Sequence, residues 1–97
     1  MATMTFYPFL QDFLNENGII YTVRRFLYEP PSGMVYIPGV GGCKRELVFK
    51  DVVEKDLQDY YLFSGFQTRE DWWDKIQEIN KNYKSSKLYL YRITKVR

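Results

Sequence analysis

The chain has 97 residues, 14 Lys and Arg against 12 Asp and Glu, a formal charge of +2 and an apolar fraction of 45%. That length suits one domain, no apolar run reaches the ~20 residues of a membrane-spanning helix, and the N-terminus lacks the basic and apolar regions of a signal peptide. A single cysteine, Cys43, cannot close an internal disulfide, which points to an intracellular, reduced setting, and the absence of histidine removes the commonest general base and metal ligand.

Residues 5–17, TFYPFLQDFLNEN, predict the first helix. Phe6, Phe9, Leu10, Phe13 and Leu14 share one helical face. Thr5 is the expected cap, Pro8 belongs to the first turn, and Gly18 suits the left-handed stop. Residues 19–28, IIYTVRRFLY, predict a strand rich in β-branched and aromatic residues. Ile19, Tyr21, Val23 and Leu27 form its expected inward set, and Thr22 and Arg24 share the other face. A turn at 29–33 leads to a short strand at 34–38. The loop 39–42, GVGG, reads as a hairpin connection, since it lacks the Lys-Ser/Thr ending of a phosphate-binding loop.

A third strand is expected at 44–54. Its alternation is spoiled at Val48 and Val52, as a bulge or two-sided burial would spoil it. Residues 55–63 look like a short helix. Ser64-Gly65 breaks the chain, and Thr68 then caps a helix over 68–82, with Asp71 three residues on. Trp72, Ile76, Ile79 and Tyr83 recur at helical spacing and should face the core. Residues 83–86 connect. The last strand, 87–96, is apolar on both faces from Leu88 to Tyr91 and is therefore placed centrally. The whole predicts an α+β domain, a small mixed β-barrel with flanking helices, spanning 1–97.

One cysteine and no histidine leave no metal site or activated nucleophile, and no cofactor is expected. Cys43 reads as a small turn-region residue. What remains is a basic and aromatic surface. Arg24 and Arg25 on the first strand, Lys44 and Arg45 on the third, and Arg92, Lys95 and Arg97 on the last could neutralise phosphates. Tyr21, Tyr28, Tyr36, Tyr89 and Tyr91 could stack on bases. Residues 81–97 carry only basic charge, from Lys81, Lys84 and Lys87 through Arg97. The alternative is that the tyrosines are core and the cations solvated.

Two short motifs carry a family resemblance. Thr22-Val23-Arg24, on a strand that follows a helix ending in Gly18, resembles the Thr-x-Arg signature of ASCH domains of the PUA-like superfamily. Ser64-Gly65-Phe66 before a capped helix that opens with Trp72 is similar to a second element of that family. The resemblance implies a PUA-like β-barrel whose cleft lies between the first strand and the segment before the capped helix. It implies RNA as the partner, with Thr22 and Arg24 on one wall and Ser64, Gly65 and Phe66 on the other. With the cations named above, the expected nucleic-acid site is Thr22, Arg24, Arg25, Lys44, Arg45, Ser64, Gly65, Phe66 and Arg92. Some ASCH-like proteins are amidohydrolases acting on acylated cytidine. Their lysine position is Ile19 here, and their glutamate falls around Ser64-Gly65, so neither role is filled. An enzyme acting on RNA or a modified nucleoside, and a protein-interaction domain, are the competing expectations.

Overall fold

The computed structural model describes residues 2–82 and 87–96. Its elements are β1 (Ala2–Thr3), α1 (Pro8–Asn17), β2 (Ile19–Arg24), β3 (Gly33–Ile37), β4 (Gly41–Lys50), α2 (Arg69–Ile79) and β5 (Tyr89–Lys95), with 3-10 segments at Glu54–Asp59 and Tyr61–Phe63. The strands form one mixed sheet in the order β1-β3-β4-β5-β2. Only the β1–β3 pair is parallel. The fold is thus a small α+β arrangement, and its sheet is not closed. Among the described residues no helix is long and apolar enough to cross a membrane.

Local signals explain most element ends. Pro8 opens α1, where its missing N–H costs nothing. Gly18 ends it in the left-handed region at φ 77, its N–H donating to the Leu14 carbonyl. The expected Thr5 cap does not form, and α1 begins three residues after Thr5 with no side-chain cap at all. Thr68 does cap α2, its hydroxyl accepting the Asp71 N–H at 3.0 Å. That helix stops at Ile79, with Asn80 following, so it is shorter than the periodicity suggests. Tyr83 and the connection 83–86 lie outside the described residues. The segment 55–63 forms two 3-10 turns in place of a helix.

β5 lies between β4 and β2, which is why it is apolar on both faces. Its odd and even residues serve two separate cores. Tyr91 and Ile93 pack with Ile20, Cys43, Val35 and Leu14 on the side covered by α1. Leu90 packs with Val23, Val52, Leu57, Trp72 and Ile76 on the side covered by α2. The bulge expected near Val48 appears as a register shift between Leu47 and Phe49.

Tyr21 and Val23 of the expected inward set of β2 do pack in the α2-side core, but burial on both faces means that the opposite face carries core as well. Ile20 is fully buried beneath α1, on the same parity as Thr22 and Arg24, while Val23 is buried on the α2 side. Thr22 and Arg24 therefore turn toward the α1 core. Leu27 lies beyond the end of β2 and is exposed. The aromatic stripe of the first helix is also divided. Phe6 is buried, Phe13 packs partly against the core, and Phe9 is exposed. Ile79, expected in the core, is exposed as well.

Candidate functional site

β1 and β2 are the two outer strands, and a cleft of about 470 Å³ lies where β2 meets the chain that continues β1. One wall is β2 and its extension, with Thr22, Val23, Arg24, Arg25 and Phe26. The segment Thr5–Pro8 lies across from it, and α2 contributes Trp72, Lys75 and Ile76. Phe66 closes one side, held edge-on to Phe9 with ring centroids 5.6 Å apart.

Arg24 spans the cleft. Its Nε donates to Thr22 Oγ1 at 3.2 Å and its Nη2 to the Thr5 carbonyl at 2.9 Å. The guanidinium lies 4.9 Å from the centroid of the Phe6 ring. Burial pulls its pKa below the ordinary value and nearby Arg45 adds to this, while the Tyr28 hydroxyl opposes it. Arginine starts so high that the group remains a cation. Two further cation–ring pairs stand at the cleft: Arg25 over Phe26 at 4.2 Å and Lys75 over Tyr7 at 4.9 Å. Lys75 also pairs with Glu78 at 3.1 Å, and that hydrogen bond raises its pKa. The lining contains three cations and no carboxylate.

β2 also supplies backbone polar groups. The Lys95 N–H donates to the Gly18 carbonyl at 2.9 Å, and the β2–β5 register runs on without a shift. Alternation along an antiparallel pair then turns the N–H and C=O of Val23 away from β5, toward the cleft. No described backbone or side-chain group outside the β2–β5 ladder pairs with them.

The structure separates the residues expected to act together. Thr22, Arg24, Arg25 and Phe66 line the cleft. Gly65 lies behind it, at φ 87, where any Cβ would meet the Leu10 side chain. Ser64 is 1% exposed, and its hydroxyl donates to the Tyr61 carbonyl and accepts from the Phe66 N–H. It builds the turn and has no surface to offer a ligand.

Arg45, expected on the surface, is 3% exposed. It points into the α1 core, on the parity of Cys43. Its Nε and Nη2 donate to the carbonyls of Pro31 (3.2 Å) and Pro30 (2.9 Å), and its guanidinium stacks 4.2 Å from the Tyr28 ring centroid. Its Nη1 has no hydrogen-bond partner. Arg45 is a structural cation that fastens the 29–33 turn, which corrects its assignment to a nucleic-acid surface.

Arg92 lies across the sheet from the α1 core. Its guanidinium holds Glu46 Oε1 at 3.1 and 3.2 Å, and Tyr21 and Glu46 together raise its pKa. Lys44 is exposed on β4, two strands away from β2. Neither lines the cleft. Arg97 and Lys84 lie outside the described residues. The tyrosines are divided too. Tyr91 is fully buried and Tyr21 packs on Tyr60, while Tyr36 is exposed on β3.

Sequence reasoning misses Lys75, Thr5 and Tyr7 as cleft residues. Lys75 was within reach of periodicity, since it falls three residues after Trp72 on the same helical face. Thr5 and Tyr7 were not, because their place depends on β1, a two-residue strand with no signal of its own. Cys43, expected in a turn, is fully buried within β4, and desolvation raises its thiol pKa. Among the described residues no cluster of His, Cys, Asp or Glu could hold a metal. Comparison with protein-family models, with curated proteins and with solved structures finds no match to this chain.

Proposed function

We propose that this domain is a nucleic-acid-binding module, with RNA as its partner, and that the cleft beside β2 is its binding site. The observation that carries this reading is a cleft of ligand size with three cations, aromatic rings beneath each of them and no carboxylate in its lining. Cations at the mouth neutralise phosphate, and aromatic and apolar walls accept a base face. The same lining argues for a binder over an enzyme, since it offers no carboxylate, thiol or imidazole to take a proton. An ASCH-like, PUA-like barrel belongs to this proposal. The Arg24 bridge from β2 to Thr5 supports it by tying together the two ends of the open sheet.

The test is fluorescence anisotropy with single-stranded RNA, duplex RNA and DNA at two salt concentrations. Binding that weakens as salt rises, and that Arg24→Glu abolishes in a protein that still folds by circular dichroism, is the expected result. Salt-independent binding, or binding that Arg24→Glu leaves intact, would remove the cleft from the proposal.

A further inference from the structure

The cationic side chains are distributed in a way that restricts what kind of nucleic acid can bind. Inside and outside the cleft alike, cations have partners: Lys75 holds Glu78 and Arg24 donates to Thr5 and Thr22. Outside it, Lys44, Lys50, Lys55 and Lys81 are exposed, and the remaining described cations are paired or interior. Arg45 is interior, Arg92 holds Glu46, Arg69 holds Glu54 and Glu70, Lys95 donates to Asn15, and Lys87 approaches Asp51. Among the described residues these cations lie on several elements, and none but Arg24, Arg25 and Lys75 lines the cleft. A duplex is held through phosphates spread along two strands, and an extended single strand through a basic groove that follows its backbone. The cleft offers instead three cations around one opening of about 470 Å³.

The interior is graded in polarity. Trp72, Ile76 and Val23 make an apolar floor on the α2 side. The N–H and C=O of Val23, turned away from β5 by the β2–β5 register, lie along one wall. A planar base fits this combination. Its face meets apolar and aromatic carbon, and its edge carries adjacent donors and acceptors able to pair with a backbone amide and carbonyl. An acyl chain would fill the floor but offer no partner to either backbone group.

We infer that the cleft takes a single nucleotide unit, its base inserted against the β2 edge and its phosphate held at the mouth by Arg24, Arg25 and Lys75. This rests on the nucleic-acid reading above and narrows it. The unit can be a free nucleoside monophosphate or the unpaired end of a strand, since both present the same base and phosphate.

The experiment is titration calorimetry of the full chain with AMP, adenosine, inorganic phosphate, single-stranded hexaadenylate and a short RNA duplex. AMP is expected to bind within about tenfold of hexaadenylate, and adenosine and phosphate each at least tenfold more weakly than AMP. The log–log salt slope for hexaadenylate should lie between about −0.7 and about −1.4, the value for one or two phosphates. Lys75→Gln and Arg25→Gln should each weaken AMP binding by roughly tenfold. Near-equal affinity of hexaadenylate and AMP would mark a free nucleotide or any terminus as sufficient, and tighter hexaadenylate within the tenfold range would mark the strand end.

Affinity that climbs with strand length while AMP stays unbound, or binding of the duplex equal to that of the single strand, would overturn the single-unit inference and leave the nucleic-acid reading standing. Phosphate binding as tightly as AMP would also overturn it, because the base would then contribute nothing. Failure of every nucleotide and strand to bind would overturn the nucleic-acid reading itself, and binding of decanoate in their place would assign the cleft to an acyl anion.

Discussion

Arg45 and Arg24 face the same side of the sheet, and each lays its guanidinium over an aromatic ring. Around Arg45 the chain closes completely. Two proline carbonyls accept from its Nε and Nη2, its Nη1 is buried without a partner, Tyr28 and Tyr91 lie against its guanidinium, and 3% of the residue stays exposed. Around Arg24 the chain stops short. A carbonyl and a threonine hydroxyl accept from it, Phe6 and the Tyr28 hydroxyl lie beside it, and its outer side faces the cleft. In sequence both are a basic residue in an aromatic strand. The elements that approach from elsewhere decide which becomes a structural bolt and which a binding group.

The contrast can be broken most severely from the cleft floor. Trp72 is 3% exposed and anchors the α2 core, so Trp72→Ala should cost about 3–5 kcal/mol in denaturant unfolding. A loss below about 1 kcal/mol would mean that the floor is not a core at all. Next in size, Arg45→Ala should cost about 2–4 kcal/mol, from lost hydrogen bonds to Pro30 and Pro31 and from the cavity left in a packed site. Arg45→Lys keeps the charge but not the fork. It should recover only part of that loss while leaving nucleotide binding as it is.

Tyr91 sharpens the description of the closed side. Its hydroxyl donates to the Phe26 carbonyl at 2.8 Å and accepts from the Tyr28 N–H at 3.1 Å. Tyr91→Phe should cost about 1–3 kcal/mol by leaving those groups unsatisfied. Burial also raises the pKa of this hydroxyl. Its folded value then exceeds its unfolded value, so its contribution is complete below the ordinary tyrosine range near ~10 and is lost as pH rises through the higher folded value. Thermal melts across the alkaline range should show the native chain losing stability more steeply than Tyr91→Phe. Equal slopes would remove Tyr91 from the account.

The smallest expected stability effect falls on the open side. Arg24→Gln should change unfolding free energy by about 1 kcal/mol, since glutamine can keep part of the bonding to the Thr5 carbonyl and the neighbouring hydroxyls. The same variant should lose nucleotide affinity by tenfold or more. A large stability loss with unchanged affinity on the folded fraction would make Arg24 a second Arg45.

Features that depend on local sequence were legible. Gly18 and Thr68 end and begin helices through their own backbone and hydroxyl groups. The apolar run at Leu88 to Tyr91 marks a strand covered on both faces, because periodicity records burial. The bulge after Leu47 shows as a broken alternation. Arg45 was not legible, because its partners lie 14 and 15 residues away, in a turn whose carbonyl directions no residue type declares. That β2 carries core on both faces was not legible either. A strand covered on both sides shows no polar face by which to orient it. Of the site, Thr22, Arg24 and Phe66 were singled out through short motifs and do line one cleft. Its third wall, Thr5 to Pro8, depends on a strand of two residues whose pairing with β3 is wholly non-local.

Gly65 has a consequence for how this chain could drift. Its φ of 87 favours glycine, and the space a Cβ would need is taken by Leu10. Two conditions therefore guard one position, and they relax separately. Shrinking residue 10 frees the volume but leaves the backbone in a region that most side chains avoid. Asparagine tolerates that region better than most residues but still brings its Cβ into Leu10. Positions 10 and 65, 55 residues apart, should thus change together or not at all. A mutational library that varies both should recover asparagine at 65 only alongside alanine or glycine at 10.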